Sequence, residues 1–388
     1  MNRGFSVNSN RPLLDRLGAV AESTLLIDGV QRRIDDFLAA QTSELDAITP
    51  ELHDFVSRSG SLLAGGKRFR ALFCYWGWAS ITEIPDPIDP MPAESPDPTA
   101  VIAAAAGLEL FHAAALVHDD IMDSSDIRRG SPSRHRSFEQ WHREQNWAGD
   151  AASYGRSSAL LLGDLLLGWS DELIDEAVTE AGSRGRATRA EFNRMRNHVT
   201  YGQYLDILEE QAWRSAPEAE QLRRAHRVVV YKSAKYSVEA PLRIGAALAG
   251  ASAQHLSSLS AYGLPLGIAF QLRDDLLGVF GDSAVTGKPT GDDLREGKRT
   301  MLIAFARRGL PGNARELLDE LLGDPELSAD QVYMLQSTIR ESGALEKVED
   351  LISKYVGEAK SAVDGAGLGI EATTELFRLA DRATRRSF

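Results

Sequence analysis

The chain has 388 residues, and its 56 acidic and 43 basic side chains give it a formal charge of −13. With 43% hydrophobic and 26% charged residues, it has the composition of a folded protein rather than of a disordered one. The acidic balance excludes the basic surface typical of a duplex-binding domain, so we expect no nucleic-acid partner. Any anionic ligand must therefore be bound by local basic clusters.

The N-terminus and the cysteine content bear on the compartment. The first residues contain no apolar core of signal-peptide length, so we expect no secretion. The single cysteine, Cys74, cannot form a disulfide within the chain, which favours a reducing compartment. We therefore expect a cytoplasmic protein, in which residues 1–20 are a loose segment before one domain that spans 21–388.

Helical periodicity dominates the chain. Apolar residues recur three and four positions apart over 25–40 and 160–178, whereas period-two runs of β-branched residues are nearly absent. The longest apolar stretch, 101–117, is rich in alanine and contains Glu109 and His112. It predicts a helix buried inside the protein rather than a transmembrane span. The predicted fold class is all-α, with one large helical domain.

Three segments interrupt the helical pattern. Residues 82–100 contain six prolines and five acidic side chains, which predicts an exposed loop. The polar stretch 124–137 predicts a turn between helices. Residues 281–299, with four glycines and a proline, predict a second loop. None of these segments separates two self-contained cores.

An aspartate cluster ends the first buried helix, in HDDIMDSSDIRRG (118–130). Asp119 and Asp123 are four residues apart and therefore share one helix face, with Asp120 about 100° around the helix. Carboxylates this close raise one another's pKa unless a cation neutralises them. Oxygen ligands at this density suit Mg²⁺, which takes its remaining ligands from water and from substrate phosphates.

A second aspartate pair, Asp274 and Asp275, ends another apolar run in FQLRDDLLGVFGD (270–282). Two such pairs at the ends of buried helices indicate carboxylates that face each other across a cavity. We therefore predict a metal cluster that binds a polyphosphate.

Basic side chains lie beside both aspartate clusters, several of them next to glycines. Such side chains and the backbone N–H groups near glycines are the groups that bind phosphate. The basic candidates are Lys67, Arg68, Arg70, Arg128, Arg129, Lys232, Lys235, Lys288 and Lys298.

The motifs GGKRFR, HDDIMDSSDIRRG, GQYLD, YKSAKY, FQLRDD and GDSAVTGK, in this order and spacing, resemble those of the trans (E)-isoprenyl diphosphate synthases. This family, also called the polyprenyl synthetases, includes farnesyl and geranylgeranyl diphosphate synthases. The resemblance covers roughly residues 20–388. It implies a single bundle of mostly antiparallel helices around a deep central cavity, in a homodimer.

The resemblance also implies a reaction, the Mg²⁺-dependent condensation of isopentenyl diphosphate with an allylic diphosphate (dimethylallyl, geranyl or farnesyl). Several Mg²⁺ ions, bridged by the allylic diphosphate, would be bound by Asp119, Asp120, Asp123, Asp274 and Asp275. The residues implied for the allylic diphosphate are Arg128, Lys232, Ser233, Gln271, Lys288 and Lys298. Those implied for isopentenyl diphosphate are Lys67, Arg70, His112 and Arg129.

The second motif departs from the family pattern. The family often has DDxxD, and here Gly278 occupies the last position. Because the first two aspartates are the stronger metal candidates, we expect activity to survive this change. No metal role is assigned to Asp282.

Product length should depend on the floor of the cavity below the first aspartate cluster. Ala114 and Ala115, just over one turn before Asp119, are small and leave the cavity open, and Phe111 is the nearest bulky residue. One helical turn adds about 5.4 Å of depth. We therefore expect an all-trans product longer than C15, with C20 geranylgeranyl diphosphate favoured and C15 or C25 as alternatives.

Three other functions fit parts of this pattern less well. A class I terpene cyclase would need an Asn/Asp-x-x-Ser/Thr-x-x-x-Glu motif, which is not found, and would leave the GGKRFR basic residues without a purpose. A di-iron carboxylate bundle could use Glu-x-x-His at 109–112 and 139–142, but the second pair lies in a polar stretch expected to be a solvated helix. A non-catalytic prenyl synthase-like subunit would have lost the aspartates or the basic residues, and both are present.

Overall fold

The computed structural model describes residues 11–58, 60–83, 97–283, 287 and 289–385. Helices form nearly all of this part, which confirms the all-α prediction. In chain order they are α1 (Arg11–Asp46), α2 (Glu51–Ser57), α3 (Gly60–Leu63), α4 (Phe69–Thr82), α5 (Thr99–Met122), α6 (Arg134–Glu144), α7 (Ala151–Glu180), α8 (Gly185–Ala212), α9 (Glu218–Val228), a π-helix (Val229–Glu239), α10 (Ala240–Leu248), α11 (Ala253–Phe280), α12 (Asp292–Glu296), α13 (Met301–Gly309), α14 (Gly312–Leu321), α15 (Ala329–Glu341), α16 (Ala344–Val363) and α17 (Ile370–Thr384).

Helix α5 lies in the centre of the bundle and packs along α7. Its alanines 103–106 are all buried, and their small side chains allow neighbouring helices to approach closely. The Ser170 hydroxyl of α7 donates a 2.7 Å hydrogen bond to the Gly107 carbonyl of α5. Among the described residues, α5 is the one helix long and apolar enough to cross a membrane, but 72% of its apolar window is buried inside the protein. Such burial is typical of a core helix.

The apolar core consists of two clusters. The larger cluster joins side chains of α1, α4, α5, α7, α10 and α17, and the smaller one joins side chains of α13, α15 and the first half of α16. Helix α11 belongs to both, with Tyr262 and Leu266 in the larger cluster and Leu272 and Leu276 in the smaller. This helix, which contains the second aspartate motif, therefore connects the two clusters.

The segment 124–137, predicted to be a turn, contains more structure than that. Ile127–Arg128 and Ser131–Pro132 pair as two short antiparallel strands, β1 and β2, and α6 begins already at Arg134. The expectation that α6 is a solvated helix is wrong, because Phe138, Glu139 and His142 are buried. The Glu139 carboxylate forms ion pairs with arginines 136 and 143 of the same helix.

The two predicted loops have different outcomes. The segment 281–299 contains the short helix α12, which the glycine-rich pattern did not predict. The proline-rich loop falls between the end of α4 and the start of α5, and its residues 84–96 lie outside the described part of the chain.

Candidate active site

A cavity of about 890 Å³ lies between the two apolar clusters. Phe73 of the larger cluster and Val229 of the smaller both contribute to its wall. Both aspartate motifs face it, through Asp119 and Asp123 at the end of α5 and through Asp274 and Asp275 near the end of α11. The residues singled out from the sequence that line it are Lys67, Arg68, Arg70, His112, Ala115, Asp119, Asp123, Arg128, Arg129, Lys232, Ser233, Gln271, Asp274, Asp275 and Lys298.

The first motif is neutralised by cations of the protein itself. Asp119 Oδ1 accepts hydrogen bonds from Lys232 Nζ and Gln203 Nε2, both at 3.1 Å, and Oδ2 lies 3.6 Å from the Arg128 guanidinium. Burial by itself would raise the pKa of Asp119, but Lys232, Lys298 and Arg128 outweigh it and hold the pKa well below its usual range. Asp119 is therefore a carboxylate, ready to bind a cation.

Lys298 pairs with a second set of carboxylates at the same end of the cavity. Its Nζ lies 2.5 Å from Asp123 Oδ2, 2.9 Å from Glu210 Oε1 and 3.4 Å from Asp206 Oδ2. Burial and the nearby Asp119 carboxylate raise the pKa of Asp123. Burial would lower the pKa of Lys298, yet the surrounding carboxylates outweigh it and raise that pKa, so the lysine stays charged.

Asp120 differs from the other aspartates of the two motifs. Its side chain is 1% exposed and does not line the cavity. It accepts a 2.8 Å hydrogen bond from Arg128 Nε and a further bond from the same guanidinium. In this structure Asp120 therefore holds Arg128 beside the cavity, and it does not reach the cavity surface as the resemblance implies for a metal ligand.

The second motif contains a buried carboxylate oxygen that lacks a donor. Asp275 is 4% exposed; its Oδ1 accepts a 2.7 Å hydrogen bond from Gln271 Nε2, whereas its Oδ2 accepts none from the described residues. Burial, reinforced by neighbouring carboxylates, raises the pKa of Asp275 to about 7. A buried acceptor of this kind is costly unless a donor or a cation satisfies it.

The carboxylates that line the cavity suit a hard divalent cation bound together with a ligand. Among the described residues, no three His, Cys, Asp or Glu side chains are already arranged around a common metal position. Mg²⁺ is usually held by one or two carboxylates plus waters and substrate phosphates, so a complete protein cage is not required. The oxygen-only donors and the unsatisfied Asp275 oxygen fit such a partly substrate-bound ion.

A second group of cations lines another part of the cavity. The Arg70 guanidinium donates a 2.9 Å hydrogen bond to Ser237 Oγ and lies 4.3 Å from the ring centre of Tyr236. Nδ1 of His112 lies 3.1 Å from the Tyr236 hydroxyl. Burial, with the charges of Arg70 and Arg129, lowers the pKa of His112 well below 6.5. The imidazole is therefore neutral, and the arginines leave this pocket positively charged.

Glu109 is a buried carboxylate whose charge acts on Arg129, and both of its oxygens already accept hydrogen bonds. Its Oε2 accepts a 3.0 Å hydrogen bond from Arg68, and its Oε1 accepts one from the Ala71 backbone N–H at 3.2 Å. Glu109 therefore belongs to this structural network and not to a di-iron centre. The cations that remain around the pocket can bind an anionic ligand.

Helix α8 contributes site residues that the sequence analysis did not assign. Gln203 and Asp206 lie on the cavity wall, and Asp206 accepts a hydrogen bond from Lys232. Both belong to the GQYLD motif, whose spacing of three residues places them on one helix face. This spacing is the sequence signal from which both residues could have been predicted to face the site. Tyr236 was also missed, because an aromatic residue in a helix is usually core.

The three residues proposed to set product length do not lie together at the cavity surface. Ala115 lines the cavity, but Phe111 and Ala114 are buried behind it. The Phe111 ring packs against Phe192 and Tyr236, with ring centres 6.0 and 5.8 Å apart. Of the other basic candidates, Lys235 forms an ion pair with Glu239 and does not line the cavity. Lys288 lies outside the described residues.

Residues 56–339 match the family model for polyprenyl synthetase. The chain belongs to the polyprenyl synthetase family. It is 35% identical over 280 residues to geranylfarnesyl diphosphate synthase of Aeropyrum pernix (72% of this chain, 80% of that protein). It is also 31% identical over 289 residues to geranylgeranyl diphosphate synthase of Methanosarcina mazei (74% of this chain, 80% of that protein).

The fold agrees with this family. The crystal structure of geranylgeranyl pyrophosphate synthase from Corynebacterium glutamicum, complexed with isoprenyl diphosphate and magnesium, superimposes with a TM-score of 0.85 at 38% identity. The alignment covers 93% of this chain and 99% of that one. The resemblance stated from the motifs is thus confirmed: this polyprenyl synthetase is a trans-prenyltransferase with the all-α isoprenoid synthase fold.

Proposed function

We propose that this polyprenyl synthetase condenses isopentenyl diphosphate with an allylic diphosphate, in a Mg²⁺-dependent reaction, to give C20 geranylgeranyl diphosphate. The main observation in support is that one cavity contains two different anion pockets. One pocket has carboxylates and lysines together, as a metal-bound diphosphate requires, and the other has arginines around a neutral histidine. A terpene cyclase binds one diphosphate and would not need the second pocket.

The metal would be held by Asp119, Asp123, Asp274 and Asp275, which all line the cavity. Mg²⁺ supplies positive charge that offsets the negative charge building on the diphosphate as the allylic C–O bond breaks. The magnesium in the C. glutamicum enzyme supports this choice of ion.

Lys232, Lys298 and Arg128 would donate hydrogen bonds to the allylic diphosphate. All three now contact carboxylates of the first motif, so they already lie where a metal-bound diphosphate would be. Charged donors fixed in advance around a leaving group stabilise the charge that develops there, because they need no reorganisation during the reaction.

The second substrate would be bound by Lys67, Arg70 and Arg129. Holding its diphosphate there orients the double bond of isopentenyl diphosphate toward the allylic cation, which converts a bimolecular encounter into a positioned one. Phe69, Phe73 and Phe270 supply apolar wall that keeps water from the cation. As in the family picture, the proton lost afterwards goes to the departing diphosphate.

The proposed product length follows from the cavity wall and from the relatives. Ala115 is small, and the bulky Phe111 lies behind Tyr236 rather than across the cavity, so the wall is not closed at a short chain. By its name, the A. pernix relative makes a C25 product, and the M. mazei relative makes a C20 product. We place C20 first and C25 second.

The test is a product assay with purified protein, Mg²⁺ and isopentenyl diphosphate, in parallel reactions with dimethylallyl, geranyl and farnesyl diphosphates. All three starters should be extended, and the products should converge on C20. Products formed without isopentenyl diphosphate would indicate a cyclase instead. No consumption of either substrate would contradict the proposed reaction.

The homodimer, the cytoplasmic location and the boundary near residue 20 stay predictions. They concern the assembly, the compartment and the domain boundary rather than the cavity described above.

A further inference from the structure

Gly278, which stands where the family often has the last aspartate of the second motif, lies next to a carboxylate from another part of the chain. Gly278 lies on α11 one turn after Asp274, at the last position of the second aspartate motif. A Cβ atom on Gly278 would lie 2.1 Å from Oδ2 of Asp293 and 2.6 Å from its Oδ1. The Asp293 carboxylate therefore occupies the space into which a side chain at position 278 would extend.

Asp293 is held in this place by its own short helix, α12. The next residue, Leu294, is fully buried, and its carbonyl accepts a 2.9 Å hydrogen bond from the Gly323 N–H. The Asp293 carbonyl accepts a 3.1 Å hydrogen bond from the Lys298 N–H. Asp293 is only partly buried, and it lines the same cavity as Asp274 and Asp275. The backbone at Asp293 is thus held by a contact within its own loop and, through Leu294, by one to the segment around Gly323.

An independent observation points to a cation at this wall. Asp275, which also lines the cavity, has a buried Oδ2 that accepts no hydrogen bond from the described residues. Leaving a carboxylate oxygen buried without a donor costs free energy, and a bound cation at this wall would offset that cost.

We propose that Asp293 supplies the third carboxylate of the second aspartate motif and helps to bind the divalent cation held by Asp274 and Asp275. This inference rests on the proposed function. Gly278 is then not a lost ligand. It is required, because a side chain at position 278 and the Asp293 carboxylate cannot occupy the same space. The motif is completed in space by a residue fifteen positions further along the chain.

The test measures Mn²⁺ binding, which needs no turnover. Free Mn²⁺ is titrated by electron paramagnetic resonance with the full-length protein in the presence of inorganic pyrophosphate. The first variant is Asp293→Asn, which keeps the size of the side chain and removes its charge. We expect Mn²⁺ to bind about 10-fold more weakly or worse, the range found when groups that support a metal site are removed.

A second variant, Gly278→Ala, leaves Asp293 in the chain but places a methyl group against its carboxylate. Alanine favours a helix interior over glycine, so weaker binding by this variant cannot be ascribed to a weakened helix. Gly278→Ala should also lower the Mn²⁺ affinity. If Asp293→Asn does not fold, this variant alone tests whether Asp293 helps to bind the cation. The matched control is Asp282→Asn, which removes an exposed carboxylate that does not line the cavity and should bind Mn²⁺ like the wild type.

The double variant Gly278→Asp with Asp293→Gly moves the carboxylate onto α11 and should regain most of the lost affinity. Wild-type Mn²⁺ affinity in both Asp293→Asn and Gly278→Ala would overturn the inference. If the wild-type protein binds no Mn²⁺ with pyrophosphate, or if Asp119→Asn binds as well as the wild type, the proposed function fails instead. The two failures are therefore distinguishable.

Discussion

At the scale of single residues, the site shows how a cluster of acids can stay charged inside a protein. Lys232 contacts Asp119 and Asp206, and Lys298 contacts Asp123, Asp206 and Glu210. Each lysine is shared between carboxylates, so none of these charges is buried without a partner. A divalent cation bound with a diphosphate can take over this role, which leaves the lysines to face the phosphate oxygens.

Replacing Asp119 with alanine should abolish most of the activity and leave the fold intact. Lys232 keeps its contact with Asp206, so the buried ammonium is not left without a carboxylate. The loss of the proposed metal site should lower kcat by roughly 10²-fold or more. A product assay at saturating Mg²⁺ measures the activity, and circular dichroism checks that the fold is intact. Asp282→Asn is the control in both measurements. Near-normal rates would contradict the metal assignment.

His112 should make the protein less stable in mild acid. Burial and the nearby arginines hold its pKa well below 6.5, whereas the same imidazole in the unfolded chain titrates near 6.5. Below pH 6.5 the unfolded state therefore binds a proton that the folded state does not, so the free energy of unfolding falls as the pH falls. Between pH 7.5 and 5.5 this residue should account for about 1 kcal/mol.

The check is denaturant unfolding of the wild type and of His112→Gln at pH 7.5 and 5.5. Glutamine can still hydrogen-bond to the Tyr236 hydroxyl but does not titrate, so the variant should lose less stability on acidification. An equal loss in both proteins would show that the buried imidazole does not resist protonation.

At the scale of elements, the π-helix Val229–Glu239 lies closely against α8. The wider turn of a π-helix is often found at functional sites, and this one contains Lys232, Ser233 and Tyr236, which line the cavity. A Cβ on Gly202 of α8 would lie 2.1 Å from the Lys232 backbone nitrogen. The absence of a side chain at position 202 therefore allows the backbone of Lys232 to approach the Asp206 face of α8.

Replacing Gly202 with alanine should separate α8 from the π-helix and move Lys232 from its carboxylates. Overpacking of this kind typically costs about 1–3 kcal/mol, and we expect a parallel loss of activity. The matched control is Gly168→Ala on α7, where no atom lies within 4 Å of the added Cβ. That change should raise stability by about 0.5–1 kcal/mol, because alanine is the better helix former. Thermal unfolding and product assays of both variants test the pair, and a neutral Gly202→Ala would contradict the close contact.

At the scale of the whole molecule, the cavity lies where the two apolar clusters meet, and α11 connects them. A ligand that binds there contacts residues from both clusters. Binding to the folded state alone raises the free energy of unfolding by mass action.

Mg²⁺ together with pyrophosphate should therefore stabilise the whole protein against unfolding. At a ligand concentration of 100 times Kd the gain should be about 2.7 kcal/mol, which calorimetry or thermal unfolding can measure. Asp119→Ala should show a much smaller gain. An equal gain in the variant would mean that the ligand binds away from the first aspartate motif.

Local patterns in the sequence were sufficient for the helices and for the family. Helical periodicity placed Asp119 and Asp123 on one face of α5, and the order of the motifs identified the polyprenyl synthetases. These features depend on neighbouring residues and on motif spacing, which can be read without knowledge of the packing. The π-helix and α12 were not predicted, since their conformations depend on contacts with α8 and with distant loops.

The tertiary structure alone decided which side chains reach the cavity. Asp120 lies next to Asp119 in sequence, yet it is turned inward to bind Arg128. Asp206 and Asp293 arrive from α8 and α12, which are different helices from those that contain the two aspartate motifs. These arrangements depend on the direction of each side chain relative to its neighbours in space, and a sequence pattern does not contain that direction.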